Sequence, residues 1–196
     1  MWVGMSDDDR FEGLAEHVVR HLGPAAKRWD PPGDDPGYGV TLHYPEKRPL
    51  PVVSAVTNGL RFQPIRAPKP SELLCTLQTG QEQEALHLVD GAAQYLLRQD
   101  PPPLAVHGHL VAGDDPLVPE TNVRGLLFAV SPVFPDVSVF LGPDGEPAVQ
   151  YLALLPLTGS DLQFLTEDDK GHDRQDRLWE RWRANKAEFW DIRRPD

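Results

Sequence analysis

Cysteine is nearly missing from this chain: Cys75 stands alone, so no intramolecular disulfide can form. Oxidative stapling plays no part, and a reducing cytoplasm is the expected setting. No apolar run approaches the roughly eighteen residues that a membrane helix needs. The start, MWVGMSDDDR, lacks the basic and apolar stretches of a secretory leader. Basic excess is missing as well. Nineteen Lys and Arg stand against thirty Asp and Glu, a formal charge of −11 at pH 7. Such a balance repels phosphate backbones and anionic lipid and favours cationic partners, so neither direct nucleic-acid binding nor membrane binding is expected. Two catalytic signatures are also absent. There is no Gly-x-x-x-x-Gly-Lys-Ser/Thr loop to aim backbone N–H groups and a lysine at a phosphate. There is no Gly-x-Ser-x-Gly elbow to raise a nucleophile above a sheet.

Proline is abundant instead, 21 residues of 196. Each fixes φ and deletes a backbone donor, which predicts many short elements joined by defined turns. At 40% hydrophobic and 25% charged the composition is otherwise that of an ordinary globular domain. A chain of this length buries roughly 70% of its unfolded surface, so one domain over residues 1–196 is expected.

Phe11, Leu14, Ala15, Val18, Val19 and Leu22 have the 3/4 spacing of one helical face and predict a helix over about 8–22, stopped by Gly23-Pro24. VTLHY and PVVSAVT have strand composition. Asn58-Gly59 tolerates positive φ and predicts a two-residue hairpin that turns PVVSAVT onto LRFQPI. SELLCTLQ alternates like a half-buried strand, and Glu82 to Gln99 is helical, ended by Pro101. LAVHGHLVAG, GLLFAVS, DVSVFLG and AVQYLALLPL are strand candidates, with Pro143-Asp144-Gly145 turning the last two into a hairpin. Ser160 is the expected N-cap of a short helix over Asp161 to Leu165. A last helix turns Leu178, Trp179, Trp182 and Phe189 inward while Arg181, Arg183 and Lys186 stay in water. The fold class that follows is α+β: a single domain with a mixed, mostly antiparallel sheet covered by helices on one side.

Candidate chemistry is sparse. PLTGSDL is a tight turn that either cradles a ligand or merely joins a strand to a helix, and the cap at Ser160 favours the second. His107 and His109 share a face if their segment is extended. Two imidazoles there, with Asp114 or Asp115 completing the shell, define a possible zinc site and an alternative reading as a metal-dependent hydrolase. The plainer reading is a surface-facing or hydrogen-bonded pair. Asp34-Asp35, Asp114-Asp115 and Asp168-Asp169 are adjacent in sequence and read as solvated acidic loops. Cys75, in an apolar strand, reads as a small buried hydrophobe rather than a nucleophile.

The order of the pieces says more than any one of them. VVSAVTNG, SELLCTLQ, a helix ending AAQYLLRQD, VHGHLV with its proline-rich loop, YLALLPLTGSDLQFL and FWDIRRP follow one another over about residues 40 to 195. This succession resembles the suppressor-of-fused domain, with its T-S/N-G turn, E-L strand, P-L-T-x-x-E segment and terminal D-x-R-R. Asp161 stands where the family usually has Glu, and the stretch between Leu110 and Gly125 is shorter and more acidic than the family's.

The resemblance implies a non-enzymatic protein-binding domain without metal or other cofactor. Animal members grip a transcription-factor peptide by strand addition. Stand-alone bacterial versions look like immunity proteins that neutralise a cognate secreted toxin. By that analogy Tyr95, His107 and His109 match the region that receives the partner's peptide, and Asp114 and Asp115 are placed to pair with its cations. The expectation is therefore a cytoplasmic immunity protein that masks a cationic toxin domain. A regulatory scaffold for an endogenous bacterial protein is the other binding reading.

Overall fold

The structure, a computed structural model, describes residues 9–31, 37–45, 51–167, 174–185 and 187–196. Eight strands form one sheet: β1 (Ala25–Trp29), β2 (Gly39–His43), β3 (Val52–Asn58), β4 (Ser71–Gln78), β5 (Leu110–Ala112), β6 (Val123–Ala129), β7 (Val139–Leu141) and β8 (Pro147–Thr158). Their order is β1-β2-β3-β4-β8-β6-β5, with β7 also paired to β8. Among the described residues every pairing of these strands is antiparallel except that of β4 with β8. The helices are α1 (Leu14–Leu22), α2 (Glu82–Arg98), α3 (Gly159–Glu167) and α4 (Arg174–Asn185).

Helices cover both faces of the sheet, not one. Val53, Ala55, Leu73 and Cys75 pack with α2, while their sequence neighbours Val52, Val56 and Leu74 pack with α1. Farther along the second face, Leu155 and Leu157 meet Leu165 of α3 and Trp182 of α4. Alternate residues of a strand point to opposite faces. A segment such as Val52–Thr57, buried at every position, therefore needs a layer on each side. The same holds for SELLCTLQ, which is buried on both faces rather than half-buried.

Two of the differences from the sequence reading lie in the first half of the chain. The helix predicted over 8–22 begins only at Leu14, because Gly13 takes φ 83° and separates it from a 3₁₀ turn at Asp9–Phe11. Residue 8 lies outside the described residues. Leu14 and Leu22 are buried, but Ala15 and Val19 of the same apolar face are exposed.

The second difference is at Asn58-Gly59. LRFQPI is not a strand, and β3 pairs with β4 instead, Val56 opposite Leu74. Leu60–Phe62 is a 3₁₀ turn, and Leu60 is fully buried. The cause is Glu72, fully buried on β4. Its carboxylate accepts the Thr57 hydroxyl at 2.6 Å, the N–H groups of Gly59 at 2.9 Å and Leu60 at 3.2 Å, and the Arg61 guanidinium at 2.6 Å. One side chain thus takes the Leu60 N–H, the donor that a two-residue hairpin would have paired with Thr57 across the strands, together with the Gly59 N–H of the turn. Burial pushes the Glu72 carboxyl above its ordinary value, while Thr57, Gly59 and Arg61 pull it back. The Thr57 oxygen already accepts the Leu73 N–H, so its proton is free for Glu72. The Gly59, Leu60 and Arg61 N–H groups can only donate, so these contacts favour the ionised carboxylate against the cost of burial.

Glu72→Gln removes that charge, sets an amide N–H₂ against donors and takes the counter-charge from the half-buried Arg61, which keeps its bond to the Asn58 side chain. Breaking one half of a buried pair costs about 3 kcal/mol, and urea unfolding is expected to register it. Arg28→Ala at the exposed Arg28–Asp30 pair is the control and is expected to cost less than about 1 kcal/mol. Equal losses in the two variants would contradict the role given to Glu72.

Candidate partner-binding edge

After α2 the chain turns before it becomes a strand. The His109 N–H donates to the Val106 carbonyl at 3.1 Å, and Gly108 has φ 81°. This is a four-residue turn of the kind that needs positive φ at its third position, which only glycine adopts freely. Val106–His109 is therefore not extended, β5 begins at Leu110, and the two histidines do not share a face. His107 is exposed. The His109 ring is enclosed, stacked on Tyr95 at 6.1 Å and edge-on to Phe128 at 5.3 Å. Among the described residues its Nε2 is buried without a hydrogen-bond partner. Burial, and secondarily the Arg174 guanidinium, hold its pKa below the ordinary value of 6.5. Arg174 itself donates to the Gly108 carbonyl at 3.0 Å.

Asp114 and Asp115 are exposed beyond β5. Arg124 donates to the backbone carbonyl of Asp114, not to its carboxylate. Among the described residues no three His, Cys, Asp or Glu side chains are grouped so as to hold a metal ion. The site composed of His107, His109 and Asp114 is thus not formed, because Gly108 turns its two imidazoles apart. Cys75 is buried, and burial pushes its thiol up to about 12, in line with a packing role.

What these elements do build is an open sheet edge. Among the described residues β5 pairs only with β6. Phe128 donates to the His109 carbonyl at 2.9 Å, and Gly113 donates to the Arg124 carbonyl at 2.9 Å. In an antiparallel pair the bonding direction alternates, so Leu110 and Ala112 turn their N–H and C=O groups outward. Beside this edge runs a groove of about 230 Å³ between β5 and α2, lined by Leu88, Gly91, Tyr95, Val111 and Leu117. Nothing lies within 4 Å of where a Cβ on Gly91 would stand, so the groove is open there. Tyr95 and His109 are brought together at this edge, whereas His107, Asp114 and Asp115 are exposed and do not line the groove. Val111, Leu117 and Gly91 were missed by sequence reasoning. A glycine on an otherwise apolar helical face was the one available signal.

The other edge, β1, is guarded. Its register shifts between Ala25 and Lys27, and Lys27 and Arg28 are exposed on it. A bulge and cations both discourage strand addition.

The PLTGSD turn has a definite occupant. Asp161 N–H donates to the Thr158 hydroxyl at 3.3 Å, and Thr158 N–H donates to the Asp161 carboxylate at 3.2 Å. This reciprocal box makes Thr158, not Ser160, the cap of α3. The Ser160 N–H instead donates to the Asp196 carboxylate at 2.7 Å, the chief reason why that carboxyl sits below its ordinary value. The turn binds an anion, but the anion is the chain's own. Arg181 is half-buried, with the Asp161 carboxylate 3.4 Å away and the Ser160 hydroxyl accepting from it at 3.0 Å, and so is not free in water as expected. Phe189 lies beyond α4 and stacks on Trp182 at 5.3 Å. Asp34, Asp35, Asp168, Asp169 and Lys186 lie outside the described residues.

A family model described as Suppressor of fused protein (SUFU) matches residues 34–195. A crystal structure from Neisseria gonorrhoeae FA 1090, described as that of a SUFU (suppressor of fused protein) homolog, is similar with a TM-score of 0.64 at 16% identity, covering 97% of each chain. At that identity the likeness is one of fold. No curated protein matches the chain. Among the described residues no helix is long and apolar enough to cross a membrane.

Burial depresses His17 and His43 as well as His109 below 6.5. For groups depressed in the folded state, the unfolded chain binds more protons as pH falls. Their contribution to stability is complete above 6.5 and is lost as pH drops through the folded values. The melting temperature is expected to fall between about pH 7.5 and about pH 5.5. His109→Phe keeps both ring contacts without a titrating group and is expected to shallow that slope. A flat profile over this window would contradict the assignment.

Proposed function

The chain belongs to the suppressor of fused family, and from that premise we propose a cytoplasmic, non-enzymatic binding protein of the immunity type. It neutralises a cognate cationic toxin domain by covering it. The observation that carries this reading is the inequality of the two strands that end the β1-to-β5 path of the sheet: β1 is bulged and cationic, whereas β5 is uncharged, unbulged and flanked by an apolar groove.

Strand addition needs outward N–H and C=O groups for affinity and a pocket for selectivity. On this reading Leu110 and Ala112 supply the first, and the groove against Tyr95 supplies the second. Asp114 and Asp115 meet cations of the incoming segment, His107 borders it, and His109 backs Tyr95 from within. A net charge of −11 accelerates the encounter with a basic domain. A regulatory scaffold would use the same edge for an endogenous partner. The two are separated by sequencing the neighbouring genes and co-expressing the chain with any secreted toxin domain encoded there: rescue of growth supports immunity, and the absence of such a gene or of rescue supports the scaffold.

Ala112→Pro removes one outward donor while leaving the bonds to β6 in place, and proline is tolerated at such an edge position. Losing one hydrogen bond is worth about tenfold in affinity for the toxin domain, measured by calorimetry with the unliganded melting temperature unchanged. Unaltered affinity would remove β5 from the interface. The association rate is expected to fall on the order of tenfold between about 50 mM and about 500 mM salt; a salt-independent rate would remove the cationic partner.

A further inference from the structure

On the sheet face opposite α2, α1 leaves a cavity of about 420 Å³ over β2 and β3, within the range of small-molecule sites. Its walls are apolar, with Phe11, Leu14 and Val18 on the helix side and Val56 on the sheet side. Val19 at its rim is 46% exposed although it belongs to the apolar face of α1. A closely packed amphipathic helix would have buried it.

Tyr151 also lines the cavity and is 3% exposed, and the Nε of Arg61 on the same wall is buried without a hydrogen-bond partner among the described residues. Buried donors ordinarily find a partner, and an occupant carrying an acceptor would supply one. Charge narrows the class of occupant. Among the described residues no Asp or Glu lines the cavity, and the one arginine there, Arg61, is paired at 2.6 Å with Glu72 behind it. His43 commits its ring nitrogens to the Gly23 carbonyl and the Thr41 hydroxyl. An ion entering here would lose water without gaining an unpaired counter-charge.

We propose that the cavity between α1 and β2–β3 binds an uncharged, largely hydrocarbon small molecule with one carbonyl acceptor. Its tail lies along α1 and its oxygen accepts from the Arg61 Nε–H and the Tyr151 hydroxyl. The site is at the far end of the sheet from β5 and is independent of the masking role.

The probe is 2-octanone, with octanoate and octylammonium as charged counterparts of equal length. Saturable amide shifts in α1, β2 and β3 are expected with the ketone, and binding weaker on the order of tenfold with either ion. Ala15→Trp, at an exposed position lining the cavity, is expected to abolish saturation. If that variant fails to fold, Val19→Lys at the rim carries the same expectation. Tyr151→Phe keeps the ring and is expected to weaken binding about threefold to tenfold, the worth of one hydrogen bond. Absence of saturable shifts with 2-octanone, equal binding by Tyr151→Phe, or tighter binding of octanoate overturns the proposal.

Discussion

The Asp161 carboxylate, at 3% exposure, gathers four donors from three places in the chain. The Thr158 N–H comes from the end of β8, the Trp182 indole and Arg181 from α4, and Arg194 from the tail. Arg194 also donates to the Pro156 carbonyl at 2.6 Å and to the Phe189 carbonyl at 3.1 Å. The tail so fixed returns to the opposite layer. Asp191 accepts from Gln81 at the start of α2, Trp190 accepts the Gln78 N–H, and Ile192 is fully buried in the core on the α2 side. One contact therefore connects α3, α4 and the tail, and through the tail the two layers that sandwich the sheet. A buried ion pair is seldom worth more than well-packed hydrocarbon in stability. What it adds here is direction, since only one arrangement of these four segments satisfies every donor at once.

Glu72 does the same at the other end of the sheet, between β4 and the turn after β3. The two carboxylates explain why the chain's short motifs mean more in succession than singly. T-N-G and S-E-L are the two halves of the Glu72 contact. P-L-T-G-S-D and D-I-R-R are the two halves of the Asp161 contact. Each half is unremarkable because its partner is far away in sequence.

Elements governed by neighbours in the chain were legible, and those governed by remote side chains were not. α2 ends at Arg98, close to where Pro101 demands it, and Gly145 with φ 80° turns β7 into β8 as its dipeptide predicts. The Asn58-Gly59 hairpin failed because Glu72, fourteen positions on from Asn58, captures the donors that define the turn. The His107-Gly108-His109 strand failed because a period-two pattern cannot distinguish a strand from a turn whose glycine adopts positive φ. Two-sided cover was readable in principle. Val52 to Val56 holds apolar residues at both parities, the mark of a strand buried on both faces. Of the site, Tyr95 was visible through the resemblance, whereas the groove beside it depends on how far α2 stands from β5.

The dimensions of that edge constrain what could bind there. Net charge speeds encounter but adds little to the lifetime of a complex, which depends on desolvated contacts. Two outward residues can make about four backbone hydrogen bonds, each contributing about 0.5–1.5 kcal/mol net. Micromolar affinity requires about 8 kcal/mol, so main-chain pairing on so short a strand falls short by itself. The remainder has to come from a side chain seated in the groove, burying apolar area against Leu88, Val111 and Tyr95. A masking partner for this edge therefore needs an apolar anchor within its cationic surroundings. A merely basic strand would arrive quickly and leave as quickly.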